Sequence, residues 1–155
     1  PSFLGDVNKF QVSWQLGSRV YTSVSGDDFK LYGWDKIDGL AKQHPKIMFH
    51  LYGNTKVWKS NQPNVFAHGR ISKEKMNEEI KGMQAALRLT EHDGVSEIIV
   101  KAMLMGQYAF SILDITHTMK PDELDKLLEI KEPNLAGREY MLKTLNRFPW
   151  VCTRS

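Results

Sequence analysis

Cysteine is almost absent from this sequence: among 155 residues there is only Cys152, close to the C-terminus. One cysteine excludes an internal disulfide and is typical of a protein from a reducing compartment. Long apolar runs are also missing, because none approaches the roughly 18 residues that a membrane span needs. No signal peptide opens the chain. No initiator methionine precedes Pro1, so we expect either a processed chain or an excised part of a longer one.

A strong excess of one charge is lacking as well. The chain has 21 basic and 18 acidic residues, which leave a net charge of +3. Such a small, scattered surplus is a weak argument for nucleic acid and suits an anionic ligand or a membrane surface equally well. We therefore predict no nucleic-acid partner. His92 and His117 are not at metal-ligand spacing from any Cys or His pair, so we also predict no protein metal site.

Strand-like and helix-like segments alternate along the chain with short connections. Strands are predicted at 18–25, 46–52, 64–67, 85–90 and 108–113. Helices are predicted from Trp34, after the N-cap Ser72, over the stripe 95–103, after Pro121 and over 135–145. This order predicts an α/β fold, a parallel sheet with helices on both faces. Residues 1–17 are interpreted as a linker or edge strand, 18–150 as the domain and 151–155 as a tail.

Apolar spacing predicts which helix faces are buried. The central helix carries an apolar stripe at Val95, Ile98, Ile99, Ala102 and Met103. The helix opened by Pro121 is expected to bury Leu124, Leu127 and Leu128 on one face.

The loop before the central helix is the clearest candidate for a ligand site. Gly94 opens the helix, and the free N–H groups at a helix start form an anion site. Thr90, Glu91, His92 and Asp93 lead into it, which suits a phosphorylated ligand. In parallel sheets ligands bind at the carboxyl ends of the strands. The strand-end loops predicted here are 25–30, 53–54, 68–72 and 90–96.

Three runs of sequence resemble a known family when taken in order and spacing: HLYGN, NVFAHGRIS and LRLTEHDGVSEIIVKAMLMG. They resemble the C-terminal half of retaining glycosyltransferases with two Rossmann-like domains, the GT-B fold of group 1 type. The resemblance covers about Ser18 to Ser111. It implies a Rossmann-like domain that binds a nucleotide diphosphate sugar as donor substrate, with no permanently bound cofactor. It also implies a missing N-terminal acceptor-binding domain, a cytoplasmic location and a peripheral membrane contact through the acceptor.

The family's signature is two glutamates separated by seven residues, the second followed by Ala-Met or Ala-Leu and a glycine. Ala102-Met103 match it, and the two acidic positions fall on Asp93 and Lys101. The resemblance implies that Asp93 lies beside the donor sugar as the catalytic carboxylate. Lys101 stands where the family has a carboxylate that accepts hydrogen bonds from ribose hydroxyls, and a lysine cannot accept them. It is expected to meet a phosphate, to pair with Glu97 on an exposed helix face, or both.

Other positions match the donor site of the family. Gly69, Arg70 and Ile71 fall on the turn whose backbone meets the nucleotide base, and Arg70 is either a phosphate contact or a solvated side chain. Gly26 and Lys30 fall near the diphosphate. The phosphate-contacting loop and helix start comprise Thr90, His92, Gly94, Val95 and Ser96.

Three hypotheses follow for function. The first is the donor-binding domain of a glycosyltransferase that transfers a sugar with retention and has little or no activity on its own. The second is a non-catalytic relative that serves as a nucleotide-binding or interaction module, which Lys101 favours. The third is an unrelated doubly wound domain of the flavodoxin or receiver type. Receiver domains need an acidic cluster at the end of the first strand, and Asp27-Asp28 matches it only weakly.

Overall fold

The structure is a computed structural model that describes residues 11–24, 33–53, 58–90, 97–113 and 115–147. Its five described strands form one parallel sheet: β1 (Arg19–Ser23), β2 (Met48–Tyr52), β3 (Val65–Gly69), β4 (Ala85–Arg88) and β5 (Tyr108–Ser111). Their order across the sheet is β3-β2-β1-β4-β5. The chain builds outward from β1 to β3 and then returns to place β4 on the other side of β1. The strand order therefore reverses at β1, where such sheets bind ligands.

Helices connect the strands and cover the sheet. They are α1 (Ile37–Gln43), α2 (Lys73–Ile80), α3 (Glu97–Leu104) and α4 (Leu135–Arg147), with 3-10 helices at Trp34–Lys36 and Pro121–Glu129. The start of α2 is fixed as expected, because the Ser72 hydroxyl accepts a hydrogen bond from the Lys75 N–H at 3.1 Å. The predicted Rossmann-like parallel sheet is confirmed.

The sheet has a hydrophobic core on each face, because neighbouring strand residues point to opposite sides. In β1, Val20 packs into one core and Tyr21 into the other. The first core lies against α1 and the 3-10 helix at 121–129, and includes Trp34, Ile37, Phe49, Leu87, Phe110 and Leu124. The second lies against α3 and α4, and includes Ala86, Ile99, Met103, Leu104, Met141 and Leu145.

Several predicted boundaries were wrong for physical reasons. Strand β3 continues to Gly69 because it pairs with β2 up to Tyr52. Strand β4 ends at Arg88 rather than at residue 90, because its pairing with β5 ends at Arg88. The segment after Pro121 is a 3-10 helix, in which residues three apart share a face. Leu124 and Leu127 are therefore buried, whereas Leu128 is 40% exposed instead of lying on the apolar face.

Residues 11–17 form no strand and are tied to the domain by hydrogen bonds. The Ser13 N–H donates to the Met105 carbonyl at 2.8 Å, and the Gln84 side chain donates to the Gln15 carbonyl at 2.8 Å. Across the described ranges, none of the helices has the length and apolarity to cross a membrane.

Candidate functional site

A cleft runs along the carboxyl ends of β1, β2 and β3 and continues between α2 and α3. Its strand-end part has a volume of about 390 Å³ and is lined by Ser23, Val24, Tyr52, Gly53, Gly69, Arg70, Ile71 and Met76. Its interhelical part has a volume of about 170 Å³ and is lined by Ser23, Lys73, Met76, Asn77, Ile80, Glu97, Ile98 and Lys101. Ser23 and Met76 line both parts, so the two adjoin. The cleft thus lies at the carboxyl ends of the strands, where the topology predicts a ligand.

The three strand ends that form one wall are joined by backbone hydrogen bonds. The Val24 N–H donates to the Tyr52 carbonyl at 2.9 Å, and the Gly53 N–H donates to the Gly69 carbonyl at 3.1 Å. Gly69 has a φ of 74°, a left-handed conformation that glycine adopts at little cost. This conformation turns the chain out of β3 so that Arg70 and Ile71 line the cleft.

One stripe of α2 forms the opposite wall. Lys73, Met76, Asn77 and Ile80 are spaced at i, i+3, i+4 and i+7, which places them on one helix face. Met76 and Ile80 supply apolar surface, since both pack with the core below α3. Lys73 and Asn77, on the same face, supply an ammonium and an amide. This face of α2 is therefore amphipathic toward the cleft.

A charged triad occupies the interhelical part. Glu97 Oε1 lies 3.0 Å from Lys101 Nζ, one turn further along α3, and 3.7 Å from Lys73 Nζ on α2. The predicted Glu97–Lys101 pair is confirmed, but the prediction of an exposed helix face was wrong. The Lys101 side chain is only 15% exposed because it lines the cleft, whereas that of Glu97 is 40% exposed.

Stacked rings lie on β2 and β3 and lead into the cleft. His50 stacks on Phe66 and on His68, with ring centroids 5.1 and 5.0 Å away, and Tyr52 stacks on His68 at 4.7 Å. His50 Nδ1 lies 2.8 Å from His68 Nε2. Burial, helped by His68, lowers the pKa of His50 from 6.5 to about 4. The His50 ring therefore stays neutral at pH 7.

Tyr52 joins these rings to the cleft wall. Its hydroxyl donates to Glu79 Oε1 on α2 at 2.9 Å. Burial and this hydrogen bond raise the pKa of Tyr52, so the hydroxyl remains protonated at neutral pH. The hydrogen bond connects the end of β2 to α2 and keeps the two walls of the cleft at a fixed separation. In the described part of the chain, no three His, Cys, Asp or Glu side chains converge as a metal site.

The structure brings four of the predicted site residues together. Gly69, Arg70, Ile71 and Lys101 all line the cleft. Thr90 lies two residues beyond β4, is 2% exposed, and is not among the described lining residues. Seven further predicted residues lie outside the described part of the chain and remain predictions: Gly26, Lys30, His92, Asp93, Gly94, Val95 and Ser96.

Five polar side chains of the cleft were not predicted as site residues: Ser23, Tyr52, Lys73, Asn77 and Glu97. Ser23 and Tyr52 had a signal, since each is the last residue of a strand whose carboxyl end was expected to face the ligand. Lys73 and Asn77 share the stripe of Met76, but a helix stripe does not reveal which turn faces a cleft. Glu97 was considered only as a partner of Lys101.

No protein-family model matches the chain, and no curated protein matches it. Solved structures do match. TarM has a TM-score of 0.64 and 15% identity, over 91% of this chain and 36% of its own. WaaG, a glycosyltransferase involved in lipopolysaccharide biosynthesis, has a TM-score of 0.56 and 12% identity, over 85% of this chain and 43% of its own. A TarM variant from S. aureus, with a TM-score of 0.57, was crystallised in complex with UDP.

The extent of these matches is that of one domain. The chain spans less than half the length of TarM and of WaaG. It spans 88% of the C-terminal domain of a glycosyl transferase group 1 family protein, LpcC from Francisella tularensis, with a TM-score of 0.58 and 11% identity over 89% of this chain. At such low identity the likeness concerns the fold. The chain has the Rossmann-like α/β fold of one half of a GT-B glycosyltransferase.

Proposed function

We propose that this chain is the donor-binding domain of a glycosyltransferase that moves a sugar from a nucleotide diphosphate to an acceptor with retention. The observation that carries the proposal is the cleft at the carboxyl ends of β1, β2 and β3, on a fold shared with glycosyltransferases. Support for a nucleotide comes from the neighbour crystallised with UDP. The nucleotide sugar is a substrate, and the proposal includes no permanently bound cofactor.

The strand-end part of the cleft is assigned to the nucleotide base. Gly69, Arg70 and Ile71 line this part, and Ile71 and Met76 offer apolar surface to a planar ring. The Arg70 guanidinium is assigned to a phosphate, because it is a planar donor that matches phosphate oxygens in pairs.

The diphosphate and the sugar are assigned to the segments that follow β1 and β4 in the sequence. Backbone N–H groups of Gly94, Val95 and Ser96 suit the diphosphate, together with Thr90, His92, Gly26 and Lys30. Asp93 is assigned to the donor sugar as the catalytic carboxylate. The sequence places Asp93 shortly before α3, and the positive end of a helix dipole stabilises a negative charge.

Binding tests this assignment directly. UDP-sugars and GDP-sugars are titrated against the 155-residue chain by calorimetry, with Asp93→Ala as the test variant. Asp35→Ala is the matched control, since Asp35 is an exposed aspartate beside α1 and does not line the cleft. We expect selective binding of one nucleotide sugar, weakened by Asp93→Ala and unchanged by Asp35→Ala. Equal losses in both variants would contradict the role of Asp93.

Catalysis is proposed to need a second, acceptor-binding domain. The acceptor comes from across the cleft in this arrangement, so the chain alone is expected to show little or no transfer. We place the working enzyme in the cytoplasm, with a peripheral membrane contact through its acceptor. A robust rate from the 155-residue chain with nucleotide sugar and acceptor would refute the requirement for the second domain.

A non-catalytic nucleotide-binding or interaction module is the second candidate. The observation that favours it is Lys101, which stands where an acceptor carboxylate is expected and is paired with Glu97 at 3.0 Å. The same titration separates the candidates: no detectable binding at millimolar nucleotide sugar favours the interaction module, and selective binding that depends on Asp93 favours the enzyme.

A further inference from the structure

The interhelical part of the cleft has the chemistry of a pocket for a sugar ring. Met76, Ile80 and Ile98 give it apolar surface, while Ser23, Asn77 and the charged triad Lys73–Glu97–Lys101 give it polar groups. We propose that this part binds a sugar ring through its vicinal diol, with the Glu97 carboxylate accepting hydrogen bonds from the two hydroxyl groups. This inference rests on the proposed function and adds a residue that determines ligand specificity.

The combination of groups favours a neutral ring over a phosphate. A sugar ring has apolar C–H faces, which match the Met76, Ile80 and Ile98 surface, and hydroxyl groups at its edge. A phosphate has no apolar face and would be placed beside the Glu97 carboxylate. That carboxylate already offsets one of the two lysine charges, so the triad has a formal net charge of only +1. A hydroxyl pair, by contrast, gains a charged acceptor, which makes the stronger class of hydrogen bond.

The geometry of Glu97 suits an acceptor. Both lysine ammoniums approach the same oxygen, Oε1, at 3.0 and 3.7 Å. Among the ion pairs of the described residues, none uses Oε2. The side chain is 40% exposed and lines the cleft, so a ligand reaches it without displacing the protein. Lys101, only 15% exposed, acts through Glu97 as a positioning residue because it holds the carboxylate against α3.

Two rings of a nucleotide sugar carry vicinal hydroxyls: the ribose of the nucleoside and the transferred sugar. The shared chemistry is the same, and the cavity of about 170 Å³ adjoins the part assigned to the base. Ligand analogues distinguish these two rings, because each analogue lacks the hydroxyls of only one of them. Removing the ribose 2′-hydroxyl affects only the first, whereas removing the transferred sugar affects only the second.

The experiment measures the preference for a ligand with the hydroxyls over one without them. Affinity alone is not sufficient, because Glu97→Gln also leaves two lysine charges without their carboxylate. Calorimetry compares UDP with 2′-deoxy-UDP, UDP-glucose with UDP, and the guanosine series likewise, for the 155-residue chain. The variants are Glu97→Gln, Lys101→Met and Glu139→Gln. Glu139 is the matched control, since it makes the same i,i+4 pair with Lys143, at 2.8 Å, on α4 and does not line the cleft.

We expect the wild type to prefer the hydroxylated member of one pair by about tenfold or more, the effect of a hydrogen bond to a charged group. In Glu97→Gln the preference should fall below about threefold, in Lys101→Met it should fall in part, and in Glu139→Gln it should persist. A preference unchanged in Glu97→Gln overturns the inference. So does tighter binding of all diphosphates by Glu97→Gln without loss of preference, which would identify the lysines as a phosphate site. Absence of nucleotide binding by the wild type refutes the proposed function itself.

Discussion

Gly53 lines the cleft and lies so close to the Val24 backbone that a side chain does not fit there. The Gly53→Ala variant therefore tests the geometry of the strand ends directly. A Cβ at this position would lie 2.5 Å from the Val24 carbonyl oxygen, and Gly53 has a φ of 135°. The clashing atom belongs to the backbone that follows β1, so it cannot rotate away as a flexible side chain would.

The magnitude follows from two contributions. An alanine forced into a left-handed or related conformation costs about 1 to 2 kcal/mol. Overpacking against a backbone atom costs a further ~1 to 3 kcal/mol. We therefore expect Gly53→Ala to lower the free energy of unfolding by about 2 to 5 kcal/mol. For a domain of this size that corresponds to a fall in Tm of roughly 5 to 20 °C.

Urea denaturation followed by circular dichroism measures this change, with Gly39→Ala as the control. Gly39 lies inside α1, and a Cβ there would meet no atom within 4 Å. Alanine is the better helix former by about 0.5 to 1 kcal/mol, so the control is expected to be slightly more stable than the wild type. A Gly53→Ala variant within ~0.5 kcal/mol of the wild type would refute the reasoning, and so would equal destabilisation in both variants.

Three further predictions concern polar groups away from the ligand. His50 has a pKa of about 4 when folded against 6.5 unfolded, so between these values only the unfolded chain binds the proton and stability falls as the pH drops from 6.5 to 4. Because the ring is only half-buried, solvent screening reduces this loss of stability to about 1 to 2 kcal/mol. In urea titrations between pH 7 and 4, His50→Gln should remove this pH dependence of the free energy of unfolding. An unchanged pH slope in the variant would contradict the prediction. The Asn64 Nδ2 group contacts three backbone carbonyl oxygens of the α1–β2 connection, at 2.8 to 3.1 Å. Asn64→Ala is expected to cost about 1 to 3 kcal/mol in the same assay, whereas Asn61→Ala, in the exposed loop before it, should be neutral. Gln107→Leu leaves the buried Tyr21 hydroxyl without its acceptor at 2.7 Å and should cost about 2 to 4 kcal/mol, provided the domain still shows a cooperative transition; a stability equal to that of the wild type would contradict it.

The fold was largely predictable because its signals are local and repeated. Strand segments such as Lys46–Tyr52 are apolar and end at a glycine, and helix segments carry stripes or caps, as Ser72 does for α2. Alternation then leaves a parallel sheet as the arrangement that satisfies every segment. The errors fell where pairing or helix type decides the outcome. The extension of β3 to Gly69 depends on β2, and the exposure of Leu128 depends on three residues per turn rather than 3.6.

The site was less predictable because its residues come together only in the folded chain. Gly69 to Ile71 were predicted from their position after a strand, and they line the cleft. Lys73 and Glu97 lie 24 positions apart in the chain and on different helices, and only the packing of α2 beside α3 brings them to 3.7 Å. The burial of Lys101 has the same origin, since the sequence of α3 alone does not show that α2 packs beside this side chain.

Polar groups at the amino and carboxyl ends of the strands differ in how they are bonded, and this contrast supports the proposed site at the carboxyl ends. At the amino ends of β4 and β5, the buried amides of Gln84 and Gln107 are fully occupied within the chain. Gln84 accepts from the Arg19 N–H at 2.7 Å and donates to the Gln15 carbonyl, while Gln107 accepts from Tyr21 and donates to the Ser13 and Ile80 carbonyls. Residues 11–17 therefore stabilise the domain, because without them two buried amides would each lose a partner at about 1 to 3 kcal/mol.

At the carboxyl ends, by contrast, the polar side chains line an open cavity. They are those of Ser23, Lys73, Asn77, Glu97 and Lys101. The amides of Gln84 and Gln107 are used within the chain, whereas the charged triad of Lys73, Glu97 and Lys101 lies beside open space. The triad costs conformational entropy to order, and a surface pair of this kind contributes less than about 1 kcal/mol to folding. Its position is therefore better explained by the proposed ligand of the cleft than by the stability of the fold.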